Sequence, residues 1–175
     1  MKQLISLGAI VASLIASPNG YTLPDDMNQP LEIQADEASF NQKTGEAIYK
    51  GNVFVKQGTI EIQAEYLKVT SNAQTRQFSS LEATGNPAVF SQQLDWSGNI
   101  VISKGNAILY LTDESRLEIT GDGYLSRMQN AITADYIQYN INSGTFTAEK
   151  KDSGRVIMTL QPRSAEQPQA TKAEN

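Results

Sequence analysis

From Pro30 onward, apolar and polar residues alternate with a period of two in short runs broken by glycine, asparagine and serine. That pattern predicts half-buried strands joined by turns and no long amphipathic helix, hence an all-β chain. One run recurs: Leu31 to Phe40 reappears, altered, from Ile60 to Thr70 and from Ile132 to Tyr139. Ile33, Ile62 and Ile132 align, followed by Ala35, Ala64 and Ala134 and then by the acids Asp36, Glu65 and Asp135. At the acid the parity slips, because the apolar positions after Ile62 and Ala64 become Leu67 and Val69. A strand whose inward face changes must bend, and such a corner carries a strand from one packed sheet to another. The short acids are read as corner formers that bond nearby backbone N–H groups.

Further strands are expected at Glu46 to Val55, Leu81 to Phe90, Ile102 to Tyr110, Leu117 to Leu125, Thr145 to Glu149 and Arg155 to Leu160. Gly51 lies inside the first of these, where a missing side chain suits a bulge, and Pro87 marks an edge or a break. Gln57-Gly58-Thr59 is a turn, and residues 71–77 form a polar loop. Glycines at 51, 85 and 121 are spaced by 34 and 36 residues, and an offset of 70 carries Ile62 onto Ile132, Tyr66 onto Tyr136 and Gly51-Asn52 onto Gly121-Asp122. Repeats of this size bury their apolar faces only by stacking, which gives a layered sandwich or jelly roll of antiparallel strands built from internal repeats. Stacking leaves the first and last strands open, so the expected edges are Leu31, Ile33 and Ala35 at one end and Val156, Ile157, Met158 and Leu160 at the other.

Met1 to Ser17 carries Lys2, an apolar run from Leu4 to Ala16 and small residues at its end, the pattern of a secretory leader. The expected organisation is a leader at 1–20, cut between 16 and 21, a lead-in at 21–29, one domain at 30–161 and a disordered polar tail at 162–175. The net charge of -5 grows by one negative unit when Lys2 leaves, and without a Lys/Arg cluster a nucleic-acid partner is not expected. Histidine and cysteine are both 0, which excludes His- and Cys-based catalysis, disulfides and the usual zinc sites, so no metal and no cofactor are expected. Glycoside hydrolysis needs only two carboxylates, and Asp95 beside Trp96 is its best anchor. The simpler reading, a loop tryptophan covering the sandwich rim, is preferred, and no enzyme is expected. Asp25-Asp26 and Asp113-Glu114 read as solvated turn acids.

Three segments carry a more specific likeness: Gln29-Pro30-Leu31-Glu32-Ile33-Gln34-Ala35-Asp36, Gly51-Asn52-Val53-Phe54-Val55 running into Gln57-Gly58-Thr59-Ile60-Glu61-Ile62-Gln63-Ala64-Glu65, and Gly85-Asn86-Pro87-Ala88-Val89-Phe90. From Gln29 to Pro162 the chain resembles the OstA-like family of periplasmic lipopolysaccharide-transport proteins. The stretch Leu94 to Gly105 departs from the family pattern. The resemblance implies an open, twisted β-jelly roll whose two sheets leave an apolar groove for the acyl chains of lipid A. It also implies head-to-tail homo-oligomers, joined through edge strands, that bridge an inner-membrane complex and an outer-membrane translocon across the periplasm. Strand parity points Leu31, Ile33, Tyr49, Val53, Ile60, Ile62, Phe90, Tyr110, Ile119 and Ile132 between the sheets, and on this likeness they are the expected lipid contacts. A structural β-filament or adhesin module with a filled core is the alternative, since inward positions are apolar in both.

Overall fold

The structure is a computed structural model that describes residues 26–72, 75, 77–151 and 154–162. The expected leader, and all of the expected tail except Pro162, lie outside these residues. Among these residues ten strands form one antiparallel sheet: β1 (Leu31–Gln34), β2 (Glu37–Asn41), β3 (Glu46–Gln57), β4 (Ile60–Ser71), β5 (Phe78–Gln93), β6 (Ile100–Leu111), β7 (Arg116–Arg127), β8 (Asn130–Asn140), β9 (Thr145–Glu149) and β10 (Ile157–Thr159). Each long strand pairs with its sequence neighbour from β3 through β8. β1 and β2 share opposite halves of β3 at one end of the stack, and β10 and β9 share those of β8 at the other.

Every long strand is bent near its middle, so the one sheet doubles over into two facing halves, an open β-jelly roll. The first half holds β2, β9 and residues 46–50, 66–70, 80–84, 107–111, 116–120 and 136–140; the second holds β1, β10 and the remaining segments. The bend follows from local geometry. Lys50 opposes Tyr66 while Val53 opposes Ala64, so β3 carries an extra residue there, and Gly51 and Asn52 take φ of 75° and 47°. The same device recurs 70 residues on, at Gly121 and Asp122, with φ of 75° and 48°. Left-handed backbone favours glycine and tolerates Asn or Asp. A side chain at Gly51 would also strike the Asp36 carboxylate, 2.3 Å from an added Cβ.

β4 and β8 oppose these bulges and change face without an extra residue: Ile60 and Ile62 are buried, then Leu67 and Val69; Ile132 and Ala134, then Ile137 and Tyr139. The parity slip is therefore a corner, as expected. Two of the three acids hold corners. Asp36 donates its N–H to the Gly51 carbonyl (3.0 Å) and accepts from Asn52 Nδ2 (2.8 Å). Asp135 accepts from Lys151 N (3.0 Å) and from Lys150 Nζ, which fastens the exit of β9. Glu65 is exposed and takes no such partner among the described residues, so geometry alone turns β4.

The Lys150 ammonium and the Lys151 N–H hold the Asp135 carboxyl below the usual carboxylate range. A lowered folded pKa stabilises fully above the ordinary aspartate value, about 3.9, and that contribution is lost as pH falls toward the folded one. Asp135→Asn should therefore lower the melting temperature by a few degrees at neutral pH and make little difference at strongly acidic pH, as read by thermal melts across a pH series.

Pro87 marks a break but no edge, because β5 lies between β4 and β6 in the interior of the sheet order. Thr84 opposes Ala107 and Ala88 opposes Gly105, so two surplus residues of β5 loop out at the corner, where Pro87 has no ladder partner to lose. Gly85 lies at the β5 corner as Gly51 and Gly121 lie at theirs, so the shorter glycine spacing marks three corners, but Gly85 does not share their positive φ, so only the 70-residue offset repeats the same bulge. β6, which lacks the Ile-x-Ala-acid signature, bends at the same level as its neighbours.

Candidate functional site

Inward side chains of both halves meet in one core that contains Val55, Ile62, Leu67, Phe90, Ile108 and Ile137, each at most 1% exposed. Phe90 from the second half meets Tyr110 from the first, ring centroids 5.4 Å apart and tilted by 58°. Burial, and secondarily the negative charge of Asp26, pushes the Tyr110 phenol up to about 12, so it stays neutral. All ten side chains that parity turned inward belong to this core or pack against it. Val53, Ile60, Ile62, Phe90, Tyr110 and Ile119 sit in the filled middle, at most 3% exposed.

The interior opens at both ends of the stack. Leu31, Ile33 and Tyr49 of the expected set, with Phe40, Ala47 and Phe78, line a cavity of about 350 Å³ beside β1 and β2. Ile132, with Leu125, Tyr139, Phe146, Met158 and Leu160, lines one of about 340 Å³ beside β9 and β10. The two mouths exist because, among the described residues, nothing is stacked beyond the edge strands. Phe40 opposes Ala47 and Phe146 opposes Tyr139, both inward partners, yet Phe40 is 68% and Phe146 41% exposed. These two aromatics were missed by sequence reasoning; the signal was available in strand alternation carried one layer further out. The expected edge residues are placed at the ends, Leu31, Ile33 and Ala35 half-buried, Val156, Ile157, Met158 and Leu160 exposed.

Opposite the corners, hairpin turns form two lips. A 3-10 turn, Asp26–Asn28, straps the seam near β1. Asp26 is not a solvated acid: it is buried, and its carboxylate accepts from Thr59 N (2.7 Å), Thr59 Oγ1 (2.8 Å) and Gln92 Nε2 (2.8 Å). The turn at Gly58-Thr59 leaves an N–H that needs an acceptor, and a short acid brought in by the lead-in supplies it. Gln57 Nε2 donates to the Gln29 carbonyl (3.1 Å), tying the same strap to β3. Between the strap and residues Gln77, Phe78, Thr112 and Asp113 of the other lip lies a further cavity of about 500 Å³.

Near β10 the corresponding place on the second lip is occupied by Arg127, whose guanidinium reaches Gly144 of the first lip: an added Cβ there would lie 2.3 Å from Nη1. Burial pushes the Tyr139 phenol up, and the neighbouring Arg127 partly offsets this. The turn 94–99 carries Trp96, which at 62% exposed does not cover the rim as expected. The Asp95 carboxylate accepts from Asn99 N (3.2 Å) and Asn99 Nδ2, bonds that hold it below the usual carboxylate range, so it caps its own turn. Asp113 and Glu114 are exposed turn acids as expected. No group of three or more carboxylates suited to a metal ion occurs among the described residues. The arrangement of the described residues offers apolar volume between two faces.

Residues 32–145 match the family model described as LptA/(LptD N-terminal domain) LPS transport protein. Among curated proteins the chain is 29% identical over 159 residues to the lipopolysaccharide export system protein LptA of Haemophilus influenzae, covering 90% of this chain and 92% of that one. It is 29% identical over 160 residues to the protein of the same name from Escherichia coli, covering 90% and 86%. Among solved structures, LptH of Pseudomonas aeruginosa, described as the LptA-homologous periplasmic component of a lipopolysaccharide transport device, superimposes with a TM-score of 0.73. That match has 23% identity and covers 79% of this chain and 100% of the other, and it supports the jelly-roll fold.

Proposed function

The chain belongs to the family of LptA and LptD N-terminal-domain lipopolysaccharide-transport proteins, and from that premise we propose that it carries lipopolysaccharide across the periplasm, with acyl chains held between the two sheet halves. The observation that carries this reading is the pair of apolar mouths, about 350 and 340 Å³, at the two ends of one continuous apolar interior. Mouths at both ends of the core suit a lipid handed on from one copy to the next better than one stored in a closed pocket. The ten inward residues are its proposed contacts, those at the mouths first and those in the filled middle once the lips part. Exposed strands at both ends support head-to-tail pairing with further copies, and with the jelly-roll domains of an inner-membrane complex and an outer-membrane translocon, by main-chain ladder bonds. The chemistry asked of it is binding and transfer, with no covalent step.

The filled middle favours a second reading, a structural β-filament whose core never opens. Lipid extracted from the protein purified out of the bacterial envelope separates the two. Mass spectrometry should find lipopolysaccharide or its lipid A portion at a substantial fraction of the protein; protein free of such lipid would support the filament instead.

A further inference from the structure

The two mouths lie at opposite ends of the stack, and they differ in chemistry. In the first repeat Gln57 stands on the second lip, neutral, 5% exposed and tied to the strap through the Gln29 carbonyl. The equivalent residue of the second repeat is Arg127, and it is the one charged side chain among the residues that line the mouth beside β10. The mouth beside β1 has none among its lining residues. Arg127 is half-buried and its Nε has no hydrogen-bond acceptor, while its guanidinium lies against the hydroxyl of Tyr139, a residue 2% exposed that lines the same mouth, closely enough to offset in part the rise that burial causes in that phenol. No carboxylate of the described residues lies within ion-pair distance of the guanidinium. The Arg127 charge contributes only weakly to keeping Asp95 ionised, and that carboxylate is committed to Asn99. The segment that would copy the strap, residues 96–98, brings Trp96 where the first repeat brings Asp26.

A half-buried guanidinium with no carboxylate partner keeps donors to spare beside the buried phenol, and the planar fork of arginine matches the paired oxygens of a phosphate. We propose that Arg127 and the Tyr139 hydroxyl form a phosphate subsite at the mouth beside β10, which receives the phosphorylated head of an acylated sugar while an acyl chain enters the apolar cavity behind it. This rests on the transport reading and adds a direction to it: the chain enters tail-first at either end, whereas the anionic head has a seat at one end alone.

The test compares binding of bis-phosphorylated lipid A and its dephosphorylated counterpart, in the same detergent, to the full mature protein. The wild type should prefer the phosphorylated form by about tenfold or more, the scale of a charge-assisted contact. Arg127→Gln, which copies the first repeat, should bring the ratio close to one. Lys104→Gln, which removes an exposed cation over the Tyr124 ring elsewhere on the molecule, should leave it unchanged. Tyr139→Phe, which removes a single oxygen, should lower the ratio severalfold, and it decides the matter if the Gln variant fails to fold. A wild-type ratio near one, or a ratio that survives both Arg127→Gln and Tyr139→Phe, overturns the assignment. Competition by lauric acid with the same dependence on Arg127 would make the seat a carboxylate site and overturn it too. Failure to bind either lipid sinks the transport reading, and this subsite falls with it.

Discussion

Phe90→Ala should destabilise the domain by about 3–5 kcal/mol, seen as a melting temperature lower by roughly 10–20 °C for a domain of this size. Phe90 is 0% exposed and spans the gap between the halves to reach Tyr110, so its loss leaves a cavity where both faces meet. The neighbours cannot collapse into it, because each is anchored in a ladder on its own half. Phe40→Ala on the edge strand β2 should change stability by no more than about 0.5 kcal/mol, since Phe40 is 68% exposed. Calorimetry of the two variants checks both. Equal losses would mean that the rim is packed as firmly as the middle, and the distinction between filled centre and open mouths would fail.

Proline in the last strand should abolish self-assembly while leaving lipid binding intact. β10 pairs on one side with Ala131 to Thr133 of β8, and its other side is free among the described residues. A chain with an open strand at each end makes heterologous contacts that propagate into filaments of variable length. One of the N–H groups of Ile157 and Met158 must point away from β8, and removing it blocks an incoming strand without breaking the ladder within the chain. Whichever of Ile157→Pro and Met158→Pro keeps the wild-type melting temperature is the outward position, and light scattering across a dilution series should show it monomeric where the wild type forms a ladder of oligomers. A wild type that stays monomeric at high concentration contradicts the edge pairing.

The sequence made the stack legible because its period of two and its parity slips are direct images of strand faces and corners. The alignment of Gly51-Asn52 with Gly121-Asp122 located both bulges, since left-handed backbone restricts those positions to a few residue types. Met128 and Gln129, by contrast, form the β7–β8 turn with φ of 49° and 66°, a conformation that ordinarily calls for Asn-Gly, so no turn residue announced it. The Asp26 clasp was read as a solvated acid because its partners, Thr59 and Gln92, are 33 and 66 residues away, and no local pattern records such contacts. The mouths escaped for a related reason. Alternation assigns a face to each side chain but does not say where the facing layer ends, and among the described residues no layer lies beyond β2 and β9, which leaves Phe40 and Phe146 at the rims of open cavities.

Transport by this fold requires lipid to lie between the two sheet halves. Photo-crosslinking in cells, with the reactive amino acid placed in turn at inward Ile33, Tyr49, Phe90 and Ile132 and at outward Glu32 and Glu61, reads that directly. Lipopolysaccharide should be captured at the inward positions, strongly at Ile33, Tyr49 and Ile132 on the mouths and at Phe90 as the halves part, and should be absent at Glu32 and Glu61. Equal capture at both sets, or none at the inward set, would contradict the transport of lipid through this fold.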